Sequence, residues 1–482
     1  MENRRSYRHT KIIFTVGPAT ASTAMLESLI RAGVDICRLN MAHATHDWTR
    51  ETVQRVREAC RNAGRDIATL MDVKGPEIRT GALERPLMLA EGDLLELWTH
   101  PLSTAPPMSP ERHRVEVNYP DLGHDVQPGN VVLVDSGLLR FEIQEITQDF
   151  VLAKILTGGE LGSRRHINLP GVDVNLPSLT EKDIADIRVG VETGVDLVAL
   201  SFVRSAAAIH ELRALLGSLG SPAQIVAKIE NQAGLRNLEE IARASDAIMV
   251  ARGDLGIEIP FEQLPLVQDQ SVKLCLSLGK PVIIATQMLE SMVANPFPTR
   301  AEITDIANAV REQADCLMLS GETTTGKYPL ECVEVMHRII DATESLNSGD
   351  LNNRIHLAEP KAKLTRSAAV LALEMDHCGI LLFTRKGVTA QIAAALRPNG
   401  IPIYAFTDQE PVYRQMQLLW GIEPFQIEFD TDHEKTICNA MAILNQQGWC
   451  RPGERLAVLT TILEGQRTID VLQIRYVEPC SA

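Results

Sequence analysis

The sequence predicts an α/β protein: a (β/α)8 (TIM) barrel with a small β domain inserted after the third strand and a further α/β domain at the C-terminal end. Three observations carry this. Short apolar runs alternate with amphipathic helical segments, the alternation breaks once into a Gly- and Pro-rich β-like stretch, and polar residues follow the apolar runs where they end. At 482 residues the chain is also too long for one core, so two or three domains are expected.

The rhythm opens with KIIFTV at 11–16, a helix near 22–32, VDICRLN at 34–40, a helix near 46–63 and IATLMDV at 67–73. This βαβαβ series implies a parallel sheet, because each crossover helix returns the chain to run the same way. Near Gly81 the rhythm stops. Residues 82–175 hold Pro, Gly and short β-like runs such as VVLVDSG and LRFEIQEI, with hardly a helical period, and are expected to form an inserted β domain. The rhythm resumes with a helix over 181–193, then DLVALSFV, QIVAKIE, AIMVAR, PVIIAT and CLMLS, each followed by a helix, the last reaching about 345. Three strands before the insert and five after it give the number that closes a barrel. The barrel is thus expected over 1–81 and 176–345. The stretch 346–363, with SGDLNNR and AEPKAK, reads as a linker into the third domain, 346–482. There GILLFT, IPIYAF, LAVLTT and VLQIRYV read as strands, with helices from 388, from 411 and near 433–447. No internal repeat beyond the βα unit is read.

Hydrophobic residues at 45% and charged residues at 23% describe an ordinary globular protein. A net charge of −15 opposes general affinity for nucleic acid or anionic membrane. Nine cysteines without a CxxC pair, several in apolar runs as Cys37, Cys275 and Cys316 are, predict reduced, packed thiols. The opening MENRRSYRHTKIIF lacks the apolar core of a signal peptide, and no apolar run reaches spanning length. A cytoplasmic protein without membrane contact is expected.

The chemistry concentrates between 224 and 302. In QIVAKIEN alternate side chains share a strand face, so Lys228 and Glu230 point the same way. Asp254 follows the next apolar run in a Gly-Asp-Leu-Gly turn. Two carboxylates from successive strand ends suit a hard divalent cation with positions open for substrate. Lys228 beside them predicts a substrate rich in negative charge. Arg38 and Asn40 end the second strand, with His43 following, and Asp72, Lys74, Glu77 and Arg79 follow the third. Arginine supplies fixed, always charged donors for phosphoryl oxygens, although Glu77 and Arg79 also read as a local ion pair in a loop. Cations and carboxylates ringing one barrel mouth predict metal-assisted phosphoryl transfer.

The strings TVGPAT, RLNMAHATHDW, MDVKGPEIRTG, KIEN, MVARGDLGIEIP, ATQMLESM, PTRAE, DIANAV and LSGET resemble, in order and spacing, those of the pyruvate kinase family. INLPG and PSLTEKDIADI resemble the exit from that family's lid domain, and the C-terminal domain resembles it more loosely. The resemblance implies transfer of the phosphoryl group of phosphoenolpyruvate to ADP, giving pyruvate and ATP, the last step of glycolysis. It also implies Mg2+ or Mn2+ as cofactor and a homotetramer. Glu230 and Asp254 would hold the divalent metal, Lys228 would lie along the transferring phosphoryl group, and Arg38 would contact it. The N–H groups of Gly253 and Asp254, with Thr286, would take the substrate carboxylate, and Thr286 with Ser320 would relay the proton that makes pyruvate. Pro18, Asn40, His43, Arg79 and, from the lid, Arg165 would line the nucleotide.

Departures from the family pattern are specific. Asn40, Asp72 and the Val73 carbonyl match its potassium site, but Ala42 stands where the family has a serine, while Glu77 matches its potassium-dependent members. K+ dependence is left open. Ser136 follows Asp135 where a second aspartate is usual, and Trp48 replaces a tyrosine. In TRKGVT, Thr384 and Thr389 match the family's effector loop whereas Lys386 and Val388 do not, and LTTILEGQRTIDVLQI lacks a nearby glycine-rich run, so the effector is open. Two other readings stand beside this one. A metal-dependent lyase working through a pyruvate enolate would not need the lid or Arg38 and Arg79. A phosphoenolpyruvate or nucleotide sensor, suggested by Ala42 and Ser136, would not need Lys228, Glu230, Asp254, Thr286 and Ser320 together.

Overall fold

Eight parallel strands close into a barrel in a computed structural model that describes residues 7–104, 112–346, 351–376, 378–464 and 467–478. They are β1 (Lys11–Thr15), β2 (Ile36–Asn40), β3 (Ala68–Val73), β4 (Leu197–Leu200), β5 (Gln224–Ile229), β6 (Ala247–Ala251), β7 (Val282–Ala285) and β8 (Cys316–Leu319). Each pairs with its neighbours in sequence, and β8 returns to β1. The helices start where the chain offers a cap. Ser22 accepts from the Met25 N–H, Thr45 from Trp48, and Thr180 and Thr299 form capping boxes with Asp183 and Glu302. Gly64 and Gly194 end their helices at φ 67° and 70°, where a Cβ would be strained. Ile13, Leu70, Leu197, Val226, Met249 and Met318 fill the barrel interior, joined there by Leu418 from the C-terminal domain.

The insert is a seven-stranded sheet in the order Ile78–Arg79, His166–Asn168, Val131–Val134, Leu139–Ile146, Phe150–Thr157, Leu94–Trp98, Arg112–Glu116, with a separate pair Leu87–Leu89 and Gly159–Leu161. Leu95, Leu97, Phe141 and Ile143 lie in its core. Its framework takes in Ile78–Arg79, ahead of residue 82, because Arg79 pairs with His166.

In the C-terminal domain the sheet order is Ile422–Gln426, Ile403–Thr407, Cys378–Phe383, Arg455–Glu464, Arg467–Tyr476. Two of its elements were not expected. Helix Pro360–Glu374 begins inside the stretch read as linker, with proline at N1 and with Ala362, Ala368, Ala369 and Ala372 buried beneath a polar outer face. Strand Ile422–Gln426 carries Pro424, which the edge of a sheet accommodates. Residues 347–350 of the linker lie outside the described residues.

A finer repeat than the βα unit runs along the N-terminal face of the barrel. An aspartate stands directly before each even-numbered strand and accepts the N–H of a residue near the start of the preceding odd strand. Asp35 takes Ile12 at 2.7 Å, Asp196 Thr69 at 2.7 Å, Asp246 Ile225 at 2.8 Å and Asp315 Val282 at 2.9 Å. Arginine completes each: Arg8 and Arg65, Arg57 and Arg414, Arg213, and Arg397. Burial pushes the Asp35 carboxyl up, but Arg8, Lys11 and Arg65 outweigh it and hold it at about 2. A carboxyl depressed in the folded state stabilises above its unfolded value of 3.8, and that stabilisation fades as pH falls toward 2. Asp35→Asn is therefore expected to cost about 2 kcal/mol at pH 7 and to flatten the loss of stability between pH 4 and 2, read from melting temperature against pH.

Candidate active site

The alternation that fills the barrel also builds its mouth. On six of the eight strands the inward series of apolar residues continues past the core to a polar one at the C-terminal end: Ile13 to Thr15, Ile36 to Arg38 and Asn40, Leu70 to Asp72, Ala199 to Ser201, Val226 to Lys228 and Glu230, Met318 to Ser320. Lys228 Nζ lies 2.9 Å from Glu230 Oε1, 3.1 Å from Asp72 Oδ1 and 2.7 Å from Ser201 Oγ. Asp72 Oδ2 accepts from Arg38 Nε at 2.7 Å, and Arg38 Nη1 donates to Thr15 Oγ1 at 3.0 Å. The ends of five strands, β1 to β5, thus share one polar and charged network.

Burial opposes the Lys228 ammonium, but Asp72 and Glu230 outweigh it and raise its pKa, so Lys228 is charged. Burial likewise pushes Asp72 up, and Lys228 with Arg38 brings it down. Glu230 and Asp254 go the other way. Burial raises both and outweighs the Lys228 ammonium, which lowers both, while the Asp254 charge adds to the rise at Glu230 and Glu77 and Asp72 add to it at Asp254. Two neighbouring carboxyls that one lysine does not bring down to the ordinary carboxylate range fit a divalent cation, which would hold both ionised. Among the described residues no three His, Cys, Asp or Glu side chains converge on a metal position. A cation here would have two protein carboxylates and take its other oxygens from substrate and water, as suits Mg2+.

Asp254 lies in the short helix Arg252–Glu258 after β6. The Gly253 N–H donates to Thr286 Oγ1 at 2.8 Å, so the carboxylate pocket expected from these residues is closed on itself by that bond. Thr286 and Gln287 hold φ of 71° and 58°, a left-handed turn that costs about 1–3 kcal/mol per residue. Arg252 braces it, donating to the Thr286 carbonyl at 2.6 Å and to Asp305 at 2.8 Å. Ser320, after β8, has a buried hydroxyl without a partner.

The oxygens expected for potassium are each already bonded. Asn40 Oδ1 accepts from the Ala42 N–H at 3.2 Å, Val73 O from Ser201 Oγ at 2.7 Å, and Asp72 from Arg38 and Lys228. Asn40 and Asp72 are register partners, and the Ala42 side chain brings no oxygen. Two loops are held from behind by one helix start: Lys182 donates to the Met41 carbonyl at 2.8 Å, and Asp183 accepts the Gly75 N–H at 3.1 Å.

On the lid side Arg79 pairs with Glu77 at 2.6 Å and donates to the Arg164 carbonyl at 2.9 Å, while Lys74 also reaches Glu77 at 2.9 Å. Arg165 lies 3.3 Å from Asp135. The turn Asp135, Ser136, Gly137 sits against the short helix, where a Cβ added to Gly137 would lie 3.6 Å from Ile257. Asn168 of the insert donates to Glu258 at 3.1 Å. Pro18 and His43 are exposed after β1 and β2, outside the network. Trp48 packs against the layer between strands and helices.

Sequence reading missed Ser201, Phe202 and Arg252. Phe202, at φ 54°, donates its N–H to Glu230 Oε2 at 2.7 Å. The period-2 step that finds Asp72 from Leu70 also finds Ser201 from Ala199, and that signal was in the chain.

Fold and mouth together define a (β/α)8-barrel enzyme that confronts a strongly anionic substrate with lysine, arginine and a pair of metal-ready carboxylates. The family model "Pyruvate kinase, barrel domain" matches residues 7–333, and "Pyruvate kinase, alpha/beta domain" matches 362–475. The chain is 41% identical over 457 residues to plastidial pyruvate kinase 2 of Arabidopsis thaliana, spanning 94% of this chain and 78% of that protein. It is 43% identical over 424 residues to the pyruvate kinase of Geobacillus stearothermophilus, with 86% and 71% covered, and 37% identical over 476 residues to that of Dictyostelium discoideum, with 95% and 92% covered. The chain belongs to the pyruvate kinase family, and it is a phosphotransferase that converts phosphoenolpyruvate and ADP to pyruvate and ATP.

Proposed function

We propose that this reaction runs at the mouth shared by β1, β2, β3, β5 and β6, with Lys228 lying along the transferring phosphoryl group. One observation carries the reading: a buried ammonium kept charged by Asp72 and Glu230, at the focus of the barrel's inward-facing polar ring. A fixed charge in a dry site acts strongly on charge that develops in the transition state. Arg38, locked by Asp72 and Thr15, keeps further N–H groups for phosphoryl oxygens. Glu230 and Asp254 would hold Mg2+ or Mn2+, which supplies neutralisation of substrate oxygens. The N–H groups of Gly253 and Asp254 and the Thr286 hydroxyl receive the substrate carboxylate, the Gly253–Thr286 bond opening to admit it. Thr286 with the unpartnered Ser320 hydroxyl relays the proton to enolpyruvate.

Pro18, Asn40, His43, Arg79 and Arg165 line the nucleotide, and the insert, 82–175, acts as a lid that keeps water from the phosphoryl donor. The barrel is taken as 1–81 and 176–345. The C-terminal domain, 346–482, is the candidate for effector binding, with Thr384 and Thr389 buried in its TRKGVT loop. The protein works as a homotetramer in the cytoplasm. Free cysteines support the compartment, seven of the eight described being buried. Among the described residues no helix is long and apolar enough to cross a membrane.

The deciding experiment is pyruvate formation from phosphoenolpyruvate and ADP with Mg2+, in K+, in Na+ and in neither. Turnover is expected with Mg2+ and not after chelation. Phosphoenolpyruvate binding without turnover in any salt would favour the sensor reading. For the cation, the closed hydrogen bonds at Asn40, Asp72 and Val73 and the methyl of Ala42 predict weak potassium activation. Ala42→Ser is expected to lower the half-saturating K+ concentration severalfold. An unchanged potassium response would reject Ala42 as the cause.

A further inference from the structure

We propose that Ser201 is a positioning residue for Lys228, holding the ammonium with its oxygen while its own proton fixes the Val73 carbonyl. This rests on the assignment of Lys228 to the phosphoryl group. A lysine ammonium has three N–H groups, and Lys228 is held on three sides within the protein, hydrogen-bonded to Ser201 Oγ and ion-paired with Glu230 and Asp72. To meet a phosphoryl oxygen it must turn from one of these partners. The two carboxylates have other donors to fall back on, Arg38 at Asp72 and the Phe202 N–H at Glu230. Ser201 has no such alternative. Its single proton goes to Val73 O at 2.7 Å, with Asp72 Oδ1 farther at 3.4 Å, so its free lone pairs face Lys228. Ser201 is thus the anchor Lys228 keeps when it turns to substrate.

The chemistry of the anchor matters. A third carboxylate at this place would hold Lys228 harder but offset more of the charge that the reaction uses. An alanine would leave the ammonium to follow whichever carboxylate is nearer. A neutral acceptor holds without discharging. The anchor is also rigid. Ser201 is buried, and the Gly75 turn, at φ +70°, packs so close that an added Cβ would come 3.1 Å from Ser201 Cβ. The next residue, Phe202, orients Glu230, so one two-residue turn at the end of β4 sets both members of the Lys-x-Glu pair.

The test measures kcat, KM for phosphoenolpyruvate and melting temperature at saturating Mg2+ and fixed salt. Ser201→Ala and Ser201→Cys are expected to lose about tenfold in kcat, the scale of one charged hydrogen bond, with KM changed less than about twofold. Cysteine nearly matches serine in volume and is a poor acceptor, so it carries the test if the alanine protein does not fold. Ser201→Thr keeps the hydroxyl and is expected to regain most of kcat. In a Lys228→Arg background, Ser201→Ala should cost less than about twofold, because the bond it removes is already altered. Parent-like kcat in folded Ala and Cys variants would overturn the inference, as would an undiminished loss in the Lys228→Arg background, or a Thr variant as slow as Ala at the parent melting temperature. Normal turnover by Lys228→Met would instead sink the lysine assignment. An inactive Lys228→Met protein beside normal Ser201 variants would sink only this inference.

Discussion

Lys228→Met is expected to lower turnover about a thousandfold, the scale of removing a preorganised charge from a transition state, while metal-dependent binding of phosphoenolpyruvate stays within a few-fold of the parent. The split follows from the geometry. Glu230 keeps the Phe202 N–H and Asp72 keeps Arg38 when the ammonium goes, so neither carboxylate loses its position. Lys228 would also repel a divalent cation held by Glu230 and Asp254, so its removal is not expected to weaken that site. On the proposed role, what is lost is charge along the transferring group. Titration of phosphoenolpyruvate with Mg2+ present, beside the turnover assay, separates the two. Near-normal turnover would falsify the role given to Lys228.

Arg397→Met is expected to destabilise the protein by about 3–5 kcal/mol at pH 7, because it strands a buried carboxylate. Arg397 and Asp315 meet at 2.6 Å with side chains each 2% exposed, where the C-terminal domain abuts the start of β8. Asp315 would be left with the Val282 and Trp420 N–H groups, at 2.9 and 3.2 Å, and, among the described residues, no cation in contact. Burial already raises the Asp315 pKa despite Arg397. Without the arginine it rises further, so the folded protein takes up a proton at pH values where the unfolded chain has lost it. Stability of the variant therefore improves as pH is lowered from 7 toward the unfolded value of 3.8, and its deficit against the parent shrinks. Urea unfolding at pH 7 and pH 5 measures both. Arg397 also lies over the Trp420 ring, 5.1 Å from its centroid, so an equal deficit at the two pH values would assign the loss to that packing instead of to charge.

Much of the site could be read in the chain because alternation is local. Lys228 and Glu230 follow from a period of two, and their 2.9 Å contact is that period made visible. Helix starts at Thr23, His46, Glu181 and Val388 follow from caps and patterning that need only neighbouring residues. What could not be read depends on partners far along the chain. Arg252 braces the Thr286 turn through Asp305, and the Gly253 N–H meets Thr286 rather than waiting open. Ser201 was reachable by alternation, but an uncharged residue at a strand end carries no chemical mark until Lys228 is seen beside it. Strand Ile422–Gln426 and helix Pro360–Glu374 were hidden by proline and by polar composition, both of which an edge or a half-exposed element tolerates.

Strands β3 and β4 lie side by side although the whole insert separates them in the chain. Their alignment is set at the opposite face, where Asp196 holds the N–H and hydroxyl of Thr69 together with Arg57 and Arg414. Barrel closure is therefore wired independently of whatever joins the two strands above, and the entropy of closing that connection changes slowly with its length. In evolutionary terms the insert is an exchangeable cartridge. A foreign domain grafted between the same two strand ends is expected to leave the barrel closed, while taking the lid and Arg165 away from the site.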